Sequence, residues 1–362
     1  MQKLTLEQLR AKVDGIDEKI LDLLNERMAL VKQIGFLKSS AKTPIYRPER
    51  ENYIIERIEQ INLNRKGLLN KTAIEALFLE IFAISRNFEL PEKIAYLGPE
   101  GSFTHQAAES RFGAMSEYLP LLNIDSVFEA VYSDRVKFGV VPFENNQEGV
   151  VVETIDNLGA FNDIHIVSEL PVPIHFAFAT LSDKVEEITK IYSKDIAFRQ
   201  CRKFLDSTFH DRPVEIIPID STSKAVKVSL QDPHSAAICS HIAAKTYKLP
   251  ILFDNIEDSA DNFTRFLIIG KNFKNSPSRN DKTSILTILP DEPGSLVTFL
   301  QDFHHAKINL TKIESRPAKE GKKFKYWFYI DFDGHIDDRN VKKIMDKYGK
   351  NTKWLGSYVK LC

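Results

Sequence analysis

Cysteine is scarce, with three in 362 residues: Cys201, Cys239 and Cys362. They form no CxxC pair and no metal-ligand spacing, which excludes a disulfide framework and fits a reducing compartment. No run approaches the ~18 uninterrupted apolar residues of a membrane span. The opening MQKLTLEQLR lacks the apolar core of a secretion signal, so a cytoplasmic protein is expected. Neither charge sign is in excess, with 49 Lys plus Arg against 50 Asp plus Glu. That balance argues against nucleic-acid binding by bulk electrostatics. What is present is ordinary for a globular protein, 43% hydrophobic and 27% charged residues, at a length suited to two or three domains.

Three segments differ in periodicity. Within residues 4–38, steps of three and four visit Leu6, Leu9, Val13, Ile16, Ile20, Leu23, Arg27, Leu30, Ile34 and Leu37, an apolar stripe broken only at Arg27. At 1.5 Å per residue this helix is about 50 Å long, more than the next few dozen residues can cover. The same helix of a second copy is its most economical cover. A turn containing Pro44 and Pro48 leads to a helix with Glu51, Ile54, Ile58 and Ile61 at the same spacing. A third carries Ile74, Phe78, Ile81, Ser85 and Phe88 and stops before Pro91. From residue 93 to 272, short apolar runs (94–97, 138–143, 263–270) alternate with helical stretches (198–208, 223–230), which predicts an α/β domain with a largely parallel sheet. After a polar linker, residues 283–362 read as strand, helix, strand, strand, helix, strand, the second strand pair being 308–314 and 325–332. This is a ferredoxin-like α+β order.

Several polar residues fall where apolar ones belong. Lys38 lies eleven residues after Arg27, within about 20° of the same helix face. Arg10 flanks that stripe, and Glu51, Ser85 and Glu89 interrupt the second and third helices. Buried cations need an anionic partner. Either the helices enclose a small, multiply anionic ligand, or Arg27 sets helix register or pairs with Glu51. In the α/β segment, polar residues gather at strand ends: Ser102 and Thr104 in Gly98–His105, Glu144 and Asn145 after 138–143, and Asp261–Phe266. Open α/β sheets bind ligands at such ends, although each motif alone reads equally as turn chemistry. Arg265 is an ion-pair partner or a carboxylate clamp. No GxGxxG or P-loop indicates a nucleotide. His304 and His305 point apart on their helix, and Asp331-Phe-Asp-Gly334 lacks the other ligands of a calcium loop. Both are read as surface features, and no metal or cofactor is expected.

These motifs carry a resemblance. Residues 9–27, the run Pro44–Glu51 and Ser85 resemble the all-helical chorismate mutases. In that family the pocket is lined by the equivalents of Arg10 (from the partner chain), Arg27, Lys38, Arg47, Glu51, Ser85 and Glu89. GPEGSFTHQAA, VPFENN and NFTRF, with Ser193, Gln200 and Ser221-Thr222, resemble prephenate dehydratases. That resemblance implies a two-lobed, periplasmic-binding-protein-like fold with substrate in the cleft. It gives Thr264 the essential role, with Glu144 as a competing general acid and Ser102, Asn145, Arg265 and Phe266 in the pocket. Gly294-Ser295-Leu296, Asn309-Leu310 and Glu314-Ser315-Arg316 resemble the effector segments of an ACT domain, implying L-phenylalanine bound between two chains. The expected fold is therefore multidomain: an all-α mutase module (1–90), an α/β dehydratase domain (93–272) and a ferredoxin-like ACT domain (283–362). The implied activity converts chorismate to prephenate and then to phenylpyruvate, in a homodimer or larger homo-oligomer. Three departures qualify the resemblance: Glu89 stands where many mutase relatives have Gln, Arg47 where they often have Asp, and Lys194-Asp195-Ile196 where close dehydratase relatives often read His-Pro-Gln. Unless protonated, Glu89 opposes the charge that develops on the breaking ether, so mutase activity is expected to favour acidic pH. A helical module that only dimerises, and a non-enzymatic metabolite sensor, are the alternatives.

Overall fold

The computed structural model describes residues 5–41, 46–89, 93–113, 115–259, 261–317 and 326–361, without the side chains of 39–41. Pro44, Pro91, Lys325 and Cys362 lie outside the described residues. The chain forms two compact units, Met1–Glu92 with Phe112–Glu117, and Lys93–Arg111 with Tyr118–Cys362.

The first unit contains three helices, α1 (Leu6–Ala41), α2 (Pro48–Asn64) and α3 (Lys71–Glu89). Pro48 opens α2, where its missing N–H removes no helical bond. Phe82, Ala83 and Ile74 of α3, Ile55 of α2, Val31 of α1, Tyr46 and Phe112 are among its buried apolar residues. Gly35 lets α1 approach α3, because a Cβ there would lie 2.9 Å from the Glu89 Cα. Most of the α1 stripe is uncovered in the single chain: Leu23 is 64% and Leu37 68% exposed.

The second unit holds three sheets. The first orders Glu117–Leu121, Lys93–Leu97, Phe138–Asn145, Phe263–Lys271 and Ile164–Pro173, with Gly149–Val150 paired to Phe138–Asn145. The second orders Ile251–Phe253, Ala177–Thr180, Ser235–Cys239, Lys190–Ser193 and Glu215–Pro218. These sheets are mixed rather than largely parallel. Phe263–Lys271 runs antiparallel to both its neighbours, and Ala177–Thr180 antiparallel to Ser235–Cys239. A continuous apolar run reports burial on both faces, which fits a parallel strand but does not fix direction. The expected helix 198–208 is likewise two, Asp195–Gln200 and Arg202–Thr208, broken at Cys201.

The third sheet, in the order Leu310–Pro317, Tyr326–Asp333, Asp281–Ile288 and Thr352–Val359, carries helices Ser295–His305 and Arg339–Tyr348, giving the expected β-α-β-β-α-β order. Strand alternation divides its residues between two cores. Ile285, Ile330 and Phe332 pack under those helices with Phe299 and Phe303. Leu286, Tyr329 and Tyr358 join Phe143, Leu267 and Ile269 of the first sheet. Gly356 sits at this junction with φ +154, and a Cβ on it would meet the Ile166 carbonyl oxygen at 2.3 Å. Asn275 Nδ2 ties the same place together, donating to the carbonyls of Val167 and Ser357. No helix among the described residues is long and apolar enough to cross a membrane.

Candidate functional site

In the helical unit the polar interruptions pair across α1 and α3. Arg27 donates to Ser85, and Lys38 Nζ lies 2.7 Å from Glu89 Oε2. Burial lowers the pKa of the Arg27 guanidinium and the charge of Glu89 opposes that shift, which places Glu89 within electrostatic reach of Arg27. Glu51 does not pair with Arg27. It is held in a buried ion pair by Arg86, a residue that motif reading overlooked, whose guanidinium also lies over the Tyr46 and Phe112 rings. Arg47 precedes α2 and is half-buried. Arg10 is exposed; it lies 17 residues before Arg27, about 25 Å along the helix.

In the second unit, Thr264 and Asn145 face each other across neighbouring strands. Asn145 Nδ2 lies 2.9 Å from both Thr264 Oγ1 and Asn262 Oδ1. The chain of amides continues: Asn262 Nδ2 donates to Gln200 Oε1 at 3.1 Å, and Gln200 Nε2 to Gln147 Oε1 at 3.0 Å. It joins the strands of the first sheet to a helix of the second. Asn262 was absent from the expected set, and only its place beside Thr264 in NFTRF could have signalled it. Ser102 and Ser221 cap the starts of their helices, accepting from the backbone N–H of His105 and Lys224. Ser240 Oγ donates to the Gly101 carbonyl at 2.7 Å, so the turn after the first strand is held by the second lobe. Ser193 donates to the Ile238 carbonyl and is fully buried, and Phe266 is buried in the strand beyond Thr264.

Arg265 and Glu144 do not join this group. Successive strand residues face opposite sides, and Arg265 points away from the Thr264 side. Its Nε lies 2.8 Å from Glu169 and its Nη1 2.7 Å from Asp331, and Nη2 donates to the Tyr358 hydroxyl. Both carboxylates are fully buried, and Lys282 Nζ completes the cluster 2.8 Å from Glu169. The ion-pair reading of Arg265 therefore replaces the carboxylate clamp. Asp331 is correspondingly no surface feature. Glu144 is ion-paired with Lys312 of the third sheet.

In the third sheet, Gly294 adopts φ +88 before helix Ser295–His305, a conformation glycine takes without steric cost. Leu296 is at the surface, Asn309 Nδ2 donates to Asp333, and Leu310 opens the edge strand that carries Glu314, Ser315 and Arg316. Arg316 lies 3.8 Å from Asp156 and lines a cavity of about 400 Å³ with Ile155, Leu286 and Trp327. Among the described residues no group of three or more His, Cys, Asp or Glu is placed to hold a metal ion.

Three family models match consecutive stretches of the chain: chorismate mutase type II over residues 9–90, prephenate dehydratase over 94–274 and the ACT domain over 283–350. The bifunctional chorismate mutase/prephenate dehydratase of Aquifex aeolicus is 43% identical over 361 residues, covering 98% of both chains. That of Pseudomonas aeruginosa is 40% identical over 364 residues, again 98% of both. The solved prephenate dehydratase of Arthrobacter aurescens in complex with L-Phe is 31% identical with a TM-score of 0.67, covering 74% of this chain and 90% of that one. Full-length similarity and the order of the three matches lead to one assignment: the chain belongs to the bifunctional chorismate mutase/prephenate dehydratase family.

Proposed function

We propose that the chain rearranges chorismate to prephenate within residues 1–90, converts prephenate to phenylpyruvate within 93–272, and is restrained by L-phenylalanine bound at 283–362. The rearrangement is intramolecular, so the protein must fold the substrate and stabilise its charge rather than supply a nucleophile. Arg27 and the partner subunit's Arg10 clamp the two carboxylates, and Lys38 meets the negative charge that grows on the breaking ether oxygen. Ser85, Glu51 and Arg47 complete the pocket. The Lys38–Glu89 pair holds the site while it is empty.

In the dehydratase half, the bond to the ring carboxylate breaks and releases carbon dioxide. Its electron pair enters the ring, and the ring hydroxyl leaves, taking up a proton to become water. The observation that carries this reading is the Asn145–Thr264 hydrogen bond. With Thr264 Oγ1 accepting from Asn145, its own O–H remains to be donated to the departing oxygen. Asn145, Gln200, Ser102, Ser193, Ser221, Thr222 and Phe266 surround the substrate.

The exposed α1 stripe supports a homodimer in which the two long helices cover each other, since patches of this size mark interaction surfaces. L-Phenylalanine sits at Gly294, Ser295, Leu296, Asn309, Leu310, Glu314, Ser315 and Arg316, completed by a second chain. Following chorismate through to phenylpyruvate on the full chain, with and without L-phenylalanine, tests the whole reading. Product from both steps with rates reduced by L-phenylalanine is expected. Failure to form prephenate or phenylpyruvate removes the corresponding half.

A further inference from the structure

The rung beside the Thr264–Asn145 pair is held from the other side of the sheet. Arg265 pairs with Glu144, but Phe266 pairs with Pro142, so Phe143 is an extra residue on its strand. Such a bulge bends a strand and re-aims side chains. Here Phe143, Glu144 and Arg265 all meet the third sheet. Phe143 packs on the Tyr329 ring at 4.9 Å between centroids, beneath the guanidinium of Arg265 and the ammonium of Lys312. Glu144 is taken by Lys312 and Arg265 by Asp331. Ser284 and Tyr358 fasten Asp331 and Arg265 in turn. Lys312 lies on the strand Leu310–Pro317 that also carries Glu314 and Arg316.

We propose that Glu144 and Arg265 are positioning residues of the dehydratase, held by Lys312 and Asp331 of the third sheet so that Asn145 and Thr264 keep their working geometry. The inference rests on the dehydratase reading above and deepens it. The third sheet is then a structural half of the active site, and a ligand on the Leu310–Pro317 strand acts on Thr264 through the side chains of Lys312, Glu144 and Asn145 and one peptide unit. The Arg265 cluster suits the task because it is buried and has few alternative arrangements, a charge displaced there having no water to turn to, while the Glu144–Lys312 pair is half-buried at its edge.

The test uses the full chain. Lys312→Met is expected to lower dehydratase kcat by ~10–100-fold, the scale of small misplacements at a reacting centre, with KM for prephenate within about twofold. Inhibition by L-phenylalanine weakens in the same variant. Glu144→Lys and Lys312→Glu each reproduce the loss, and the double variant E144K/K312E recovers most of the rate, because the pair is restored with its charges exchanged. A direct proton-transfer role for Glu144 gives no such recovery. Lys312→Gln, which keeps length and polarity, serves if the Met variant melts early. Wild-type kcat and inhibition in both Lys312 variants, or a double variant no better than E144K alone, overturns the inference. A wild-type protein that makes no phenylpyruvate overturns the dehydratase reading instead.

Discussion

The helical unit and the sheet unit bury apolar surface by different means. In α1 the described buried positions are only Val31 and Gly35, while Leu6, Leu9, Val13, Ile16, Ile20, Leu23, Leu30, Ile34 and Leu37 all remain at the surface. In the sheet unit, Phe138, Val140, Val141, Leu267, Ile268 and Ile269 are fully buried by their own chain. One unit presents half of a core and the other closes its own. The mutase pocket should therefore depend on association, and the Thr264 centre on contacts within a single chain.

The sharpest way to separate the two is Thr264→Ala. Dehydratase turnover should fall by ~10²–10⁴, the usual worth of a positioned donor, with mutase turnover unchanged. Comparable losses of both activities would show that the centres are not independent. Next in size, Ile16→Glu with Ile20→Glu should leave the chain monomeric by sedimentation. Mutase activity should then drop by about 100-fold, as expected when an Arg10-type clamp is withdrawn, and dehydratase activity by no more than a few-fold. A dimer that survives both charges would locate the interface elsewhere. The smallest effect concerns the Lys38–Glu89 pair. Glu89→Gln keeps the length of the side chain and replaces a negative charge with a neutral N–H donor, so mutase kcat/KM should rise by about two- to tenfold; a fall of about tenfold or more would show that the carboxylate itself is needed.

Much of this was legible in residue order. The stripe on α1, the helix start at Pro48, and the β-α-β-β-α-β order all follow from local rules of spacing that act within a few residues. The pairing of Arg27 with Ser85 and Lys38 with Glu89 agrees with their shared faces. The errors arose where the answer depended on distant parts of the chain. NFTRF places Thr264 and Arg265 side by side, and alternation says they face opposite ways, but nothing local says which side is the cleft. Asp331, 66 residues later, decides it. Glu144 was assigned to the cleft for the same reason, since the extra residue at Phe143 is invisible until the neighbouring strand is known. Arg86 was missed because a cation near the end of a helix reads as ordinary solvated charge. Strand direction also went unread, because the apolar pattern is the same in either sense.

Gly356 has a consequence for biosynthesis. The surface it presses against includes Ile166, 190 residues earlier in the chain. A ribosome delivers residues in order, so the greasy underside around Ile166, Leu267 and Ile269 waits uncovered while the intervening polypeptide is made. Completion of that lobe is a late, long-range event of the kind that slows folding and invites aggregation. A nascent chain arrested before Thr352–Val359 should be a client for chaperones.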